Sequence, residues 1–239
     1  MTATDRSESV SESTSVGVLK FGGSNCDIDV KKVLDSMGED AELVWYKESL
    51  EGHDGVVLPG GFSYGDYLRA GAIASETDIM EDVVEIADDG KPVLGICNGA
   101  QILCESGIVE GAYAQNVSAK FQCEWVNLRV ETTDSPFTSE FEEGEVIQIP
   151  IAHAEGRYIP EDIDSLYDDD RILFKYVDEN GEATDEANPN GSIDNIAGVL
   201  GENRNVGVMM PHPERASESL IGSDDGRRVF EGMVESVDP

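Results

Sequence analysis

Basic residues are scarce in this chain: 16 Lys and Arg stand against 50 Asp and Glu, a formal net charge of −34 over 239 residues. A nucleic-acid binder needs a positive footprint to neutralise phosphates, so no DNA or RNA partner is expected. Long apolar runs are missing too. No stretch suffices to cross a bilayer, and the polar opening MTATDRSESVSESTS lacks a signal peptide's apolar segment, so the default expectation is a cytoplasmic chain with no membrane contact. Cysteines and histidines are few: Cys26, Cys97, Cys104 and Cys123 show no CxxC spacing, and with three histidines they make a poor zinc set. No bound metal is expected, and in the cytoplasm the thiols stay reduced.

The acids are spread along the whole chain, which reads as a highly solvated surface suited to molar salt. Screening there shortens to about 3 Å and relieves self-repulsion. The charge describes the solvent and not the reaction. Hydrophobic residues at 39% are enough for one ordinary core. Residues 1–15, rich in Ser, Thr and Glu, predict a disordered tail, and 16–236 a single domain.

Short apolar runs at 16–21, 41–46, 55–59 and 92–96 predict buried strands. Helices are expected from Ser24 or Asn25 to Met37, over 75–89 and over 98–106. After residue 120 the pattern turns to strands at 123–131, 145–153, 172–177, 196–201 and 206–212, read as an antiparallel ribbon and added strands on the same sheet. A last helix is expected over 226–236. The alternation predicts an α/β fold of three layers: a mixed, mostly parallel sheet with helices on both faces.

The most informative stretch is GICNG (95–99). A strand ends at Cys97 and a helix starts at once, with Gly95 and Gly99 flanking the cysteine, the pattern of a nucleophile elbow with sulfur in place of oxygen. At the helix N-terminus, unpaired N–H groups and the dipole favour a thiolate. PHPE (211–214) follows the apolar strand VGVMM, at the strand end where open α/β sheets build their sites. In an extended stretch His212 and Glu214 share a face, so the imidazole can serve Cys97 as base while the carboxylate fixes its tautomer. The bland alternative is a solvated turn with an ion pair to Arg215. LPGGFSYGD (58–66) also follows a strand, and its adjacent glycines could aim an N–H at an oxyanion, although alone it is only a tight turn.

Together these residues resemble the class I (triad) glutamine amidotransferases, a family with a flavodoxin-like core. More narrowly they are similar to the glutaminase subunits of phosphoribosylformylglycinamidine synthases. The resemblance covers about 16–235 and rests on KFGGSNCD (20–27), PGGFSYGDYLRAGAIA (59–74), GICNGAQIL (95–103), IAHAEGRY (151–158), NPNGS (188–192) and MMPHPER (209–215). It implies Cys97 as nucleophile, His212 as base and acid, and Glu214 as its orienting carboxylate. Backbone N–H groups of Gly61 and Asn98 would hold the oxyanion. Gly60, Gln101, Ser118 and Phe121 would contact the substrate glutamine, and His153 would line the pocket or touch a partner. It further implies ammonia delivery to a synthetase subunit, a small bridging subunit, no cofactor on this chain, and ATP with magnesium on the synthetase. Two rivals remain: a general cysteine hydrolase on the same elbow, and a non-catalytic binding subunit that keeps the fold.

Overall fold

The computed structural model describes residues 13–237. The expected tail over 1–15 lies outside the described residues as far as position 12. Thr14 and Ser15 already belong to the fold, since the Thr14 amide donates to Glu39 at 2.8 Å and Ser15 opens the first strand.

The chain runs β1 (Ser15–Lys20), α1 (Asp27–Met37), β2 (Asp40–Trp45), β3 (Gly55–Leu58), α2 (Ile79–Asp88), β4 (Val93–Ile96) and α3 (Asn98–Glu105). Then come β5 (Ala112–Ala114), β6 (Gln122–Val130), β7 (Val146–His153), β8 (Arg157–Ile159), α4 (Ile163–Asp168), β9 (Ile172–Val177), β10 (Ile196–Leu200), β11 (Val206–Met209) and α5 (Asp225–Glu235). The main sheet is ordered β2-β1-β3-β4-β11-β10-β9-β6-β7. From β2 to β11 all pairings are parallel, while β10 and β6 run against their neighbours. The expected mixed, mostly parallel α/β sheet is present.

The central strands β3, β4, β9, β10 and β11 are buried at every position, as strands covered on both faces must be. Parity assigns the layers. Leu58 pairs with Gly95, whose Cα points at Leu103 of α3, whereas Gly55, three residues before Leu58, faces Met233 of α5. α1 packs against α5. The crossover β1-α1-β2 runs opposite to β3-α2-β4, so right-handed connections put α2 on the face of α3. Among the described residues no helix is long and apolar enough to cross a membrane.

Two expectations are corrected. The first helix begins at Asp27 with Cys26 as N-cap and no side-chain cap. The Ser24 hydroxyl instead accepts from the Phe21 amide at 3.0 Å, inside the turn that ends β1. The helix expected over 75–89 starts only at Ile79, because Thr77 is extended and separates it from a one-turn 3-10 helix at Ala74–Glu76. Two elements went unread: a small antiparallel sheet of β5 with β8, and α4.

The few bases are largely committed to nearby acids. Arg228 meets Glu145, Arg171 meets Glu110 and Lys175 meets Asp194, all within 2.8 Å. With 50 acids against 16 bases, most carboxylates face water and one another. The melting midpoint of the isolated chain is therefore expected to rise from dilute to molar potassium chloride. A relief of about 2 kcal/mol corresponds to about 4–8 °C at this size. Equal midpoints would remove electrostatics as the reason for the composition.

Candidate active site

Four adjacent parallel strands, β1, β3, β4 and β11, end at the same edge of the sheet. The residues that follow them, Phe21–Cys26, Pro59–Ser63, Cys97 and Met210–Glu214, form the floor of the site, where open α/β sheets hold ligands. The elbow after β4 explains its glycines. A Cβ on Gly99 would lie 1.9 Å from the Leu58 carbonyl oxygen, and one on Gly95 would lie 2.7 Å from Leu103 Cδ1 and 2.9 Å from the Gly99 backbone. Only glycines let α3 rest on β3 and β4 this closely. Between them Cys97 takes φ 51° and ψ −104°, a conformation that a side-chain-bearing residue adopts only when the surroundings impose it. Its amide donates to the Met209 carbonyl at 2.8 Å, tying the elbow to β11, and its Sγ lies 3.9 Å from the Ala152 carbonyl oxygen.

His212 and Glu214 are both buried, and Nδ1 of the imidazole lies 2.6 Å from Glu214 Oε1. The geometry differs from the expected extended stretch. Residues Pro213–Arg215 form a 3-10 turn with Pro213 at its start, so Glu214 folds back onto His212 instead of sharing a strand face with it. The His212 amide donates to Pro150 of β7 at 2.8 Å, which fixes the ring's base. Burial opposes the imidazolium, yet the Glu214 carboxylate, followed by the Cys97 and Cys26 thiols, holds His212 well above the ordinary histidine range. Among the described residues Nε2 has no partner, so the ring nitrogen not held by Glu214 is free for chemistry.

The two glycines after β3 serve different ends. A Cβ on Gly60 would come within 2.7 Å of His212 Cε1 and 3.0 Å of Cys26 Sγ, so Gly60 makes room for the imidazole and does not line the cavity. Its carbonyl accepts from the Asn25 and Cys26 amides at 3.2 Å each, latching the β3 loop to the β1 loop. Gly61 does line the cavity, and a Cβ there would meet the Gly23 carbonyl oxygen at 2.7 Å. Asn98 opens α3, so its N–H is among those without an intrahelical acceptor. Its side chain accepts from the Ser63 amide at 3.0 Å and donates to Gln101 Oε1 at 2.9 Å. Gln101 in turn donates to the Glu155 carbonyl at 2.8 Å, so it lines the cavity with both ends of its amide engaged.

The cavity, about 450 Å³, brings together Gly61, Cys97, Gln101, Phe121, His153 and His212. Ser118 is not on its wall. It is exposed, and its hydroxyl accepts from Lys120 N and Gln122 Nε2 in a local turn. His53 is buried, with Nδ1 3.0 Å from the Ser15 hydroxyl, away from the site. His153 ends β7, the strand expected over 145–153, and is buried. Burial, then the charge on His212, pushes it down to about 4, so it is neutral at pH 7. Its Nε2 lies 3.4 Å from Asn190 Nδ2, which also donates to the Gly156 carbonyl at 2.8 Å. The NPNGS turn thus holds the AHAEGRY loop in place.

Cys26, Asp66, Glu155 and Arg215 also line the cavity and were given no role by the sequence. Their signal was position, since each follows a strand ending at this edge. Cys26 Sγ, His212 Nδ1 and a Glu214 oxygen lie within 4.8 Å of one another, a spacing a metal could use. Arg215 Nη2, however, donates to the same sulfur at 3.1 Å and puts a fixed positive charge where a cation would sit.

Comparisons with known proteins agree with this geometry. A protein 61% identical over 226 residues, covering 93% of this chain and 97% of the relative, is the phosphoribosylformylglycinamidine synthase subunit PurQ of Methanosarcina barkeri. The PurQ of Halobacterium salinarum is 52% identical, covering 90% of this chain and 97% of that one. A solved structure described as PurLQS from Thermotoga maritima superposes with a TM-score of 0.85 at 44% identity, over 95% of this chain and all of that one. A family profile described as CobB/CobQ-like glutamine amidotransferase domain matches residues 13–228, and the chain belongs to that family of glutamine amidotransferases.

Proposed function

We propose that this chain is the glutamine-hydrolysing subunit of a phosphoribosylformylglycinamidine synthase. It releases ammonia for a synthetase subunit that works with it and a small bridging subunit, and this fits its likeness to PurQ proteins and to PurLQS. The reading assigns Cys97 as nucleophile, His212 as base and acid, and Glu214 as the group that orients the imidazole. The observation that carries it is a cysteine on a strained elbow sharing one cavity with a buried histidine whose other nitrogen is 2.6 Å from a buried carboxylate.

In this reading the Cys97 thiolate adds to the γ-amide carbon of glutamine, and the Gly61 and Asn98 N–H groups receive the developing oxyanion. The C–N bond breaks as the imidazolium of His212 gives its proton to the departing nitrogen, leaving ammonia and a γ-glutamyl thioester. His212, again neutral, takes a proton from water, hydroxide displaces the thiolate, and glutamate leaves. No cofactor is assigned to this chain. ATP and magnesium belong to the synthetase, and a cytoplasmic location fits the pathway.

Labelling tests the assignment. A γ-diazoketone analogue of glutamine, incubated with the assembled complex and followed by peptide mass spectrometry, is expected to alkylate Cys97 and none of Cys26, Cys104 and Cys123. Modification of Cys26 or Cys123 with Cys97 left free would overturn it.

A further inference from the structure

Two groups in the wall of the catalytic cavity take no part in the steps above: the Cys26 thiol, on the loop after β1, and the Arg215 guanidinium, next in the chain after Glu214. They are bonded to each other. Arg215 Nη2 donates to Cys26 Sγ at 3.1 Å, and the thiol donates to Asn25 Oδ1 at 3.1 Å, so the sulfur is held from both sides. The Arg215 side chain is 37% exposed, and the thiol is what keeps this long, flexible group turned inward. Held there, its Nε lies 3.7 Å from Glu214 Oε1, the same oxygen that meets His212 Nδ1 at 2.6 Å. Glu214 is buried and its Oε2 has no partner among the described residues. Among those residues Arg215 is the one permanent cation paired with this carboxylate.

The charge balance around His212 changes between the two half-reactions. In the first the imidazolium must keep its proton until the nitrogen leaves, and the Cys97 thiolate and Glu214 both favour that. Once the thioester has formed the thiolate charge is gone, and His212 must be neutral to take a proton from water. A bare buried carboxylate 2.6 Å from Nδ1 opposes this second task, because it holds the ring in its charged form. A guanidinium on the same oxygen offsets part of that pull. No neighbouring group substitutes for it. His153, which faces the ring from the end of β7, is neutral, and Asp66 and Glu155 bring only negative charge to the cavity. α1 and α5 pack on the turn at Pro213–Arg215, but Lys20 holds Asp27 at 2.5 Å, Arg227 meets Glu231 and Arg228 meets Glu145. Asp225 accepts from the Gln148 amide at 2.8 Å.

We propose that Arg215, held inward by the Cys26 thiol, is a positioning residue that offsets the Glu214 charge and so frees His212 to act as base in thioester hydrolysis. This deepens the glutaminase reading and rests on it. In that step the water proton passes to Nε2, the water oxygen bonds to the γ-carbon, and the C–S bond breaks with its electron pair returning to Cys97. Arg215 touches none of these atoms and acts through Glu214.

The test follows the acid limb of the kcat–pH profile of the assembled complex with glutamine. It also follows the γ-glutamyl thioester on Cys97, trapped by acid quenching and read by peptide mass spectrometry. Arg215→Gln keeps a donor for the sulfur and loses the charge. It is expected to move the acid limb up by about one pH unit, so that kcat near neutral pH falls roughly tenfold and the thioester accumulates. Arg215→Lys restores the charge and most of the limb's position. Cys26→Ala gives a smaller shift in the same direction, and Cys26→Ser, whose hydroxyl accepts and donates as the thiol does, returns towards the wild type. The position of a limb does not depend on how much enzyme is folded, so a merely destabilised Arg215→Gln lowers the plateau and leaves the limb in place. That result overturns the proposal. So does a KM rise at unchanged kcat, which would put Arg215 on the substrate, or a Cys26→Ala profile equal to that of the wild type. If the wild type releases no ammonia from glutamine, or does so without Cys97, the glutaminase reading itself fails before any Arg215 variant is compared.

Discussion

Cys97→Ala abolishes glutamine-dependent synthesis by the assembled complex, while synthesis supplied directly with ammonium salt persists. The first half follows from the chemistry: without the thiolate no thioester forms, and an oxyanion hole with a bound substrate cannot replace a nucleophile. The expected loss is on the order of 10³-fold or more. The second half follows from the division of labour, since ammonia made elsewhere bypasses this cavity. The substitution removes one buried sulfur from an elbow whose backbone is held by Gly95, Gly99 and the Met209 carbonyl, so the fold should stand. Steady-state turnover with either nitrogen source, on the same preparation, reads the result. Loss of both activities would assign Cys97 to assembly instead, and retention of both would assign it no catalytic part.

Gly99→Ala is the second large effect, and its sign is diagnostic. Helix propensity alone would have alanine stabilise α3 by about 1 kcal/mol. The site says the reverse. A Cβ at position 99 would sit 1.9 Å from the Leu58 carbonyl oxygen, 2.6 Å from its carbonyl carbon and 2.8 Å from its Cβ, and backbone atoms cannot rotate away. α3 must lift off β3, at an overpacking cost of about 1–3 kcal/mol or more. The lifted helix carries Cys97 and the Asn98 amide away from Gly61. We expect the melting midpoint to fall by about 5–10 °C and glutamine turnover to vanish with it. A midpoint equal to or above the wild type would mean that the close approach of α3 to β3 is not what this glycine provides.

How far the sequence carried depends on where each feature stores its information. The elbow was legible because Gly-x-Cys-x-Gly at a strand-to-helix junction carries its own geometry, and because strands such as Gly55–Leu58 and Val93–Ile96 are uninterrupted apolar runs. His212 and Glu214 do lie together, but by a route the sequence did not suggest. Their spacing suggested an extended face, but Pro213 starts a 3-10 turn that folds the carboxylate back. Pairings between distant short segments left no local trace, so Ala112–Ala114 and Arg157–Ile159 went unread as strands. The same holds for Asp66 and Glu155, polar loop residues 89 positions apart that meet only because β3 and β7 end at one edge. His153 was legible as a strand end, since the apolar run over 145–153 that announced β7 closes on it.

β11 joins the sheet between β4 and β10, not at a margin, yet it is made last of all the strands. A growing chain therefore displays its thiol 115 positions before its imidazole exists. At about 5–20 residues per second that interval is on the order of ten seconds. Nascent or prematurely terminated products lack both the base and the strand that docks the elbow, and so cannot squander cellular nitrogen before a finished subunit is available to the synthetase.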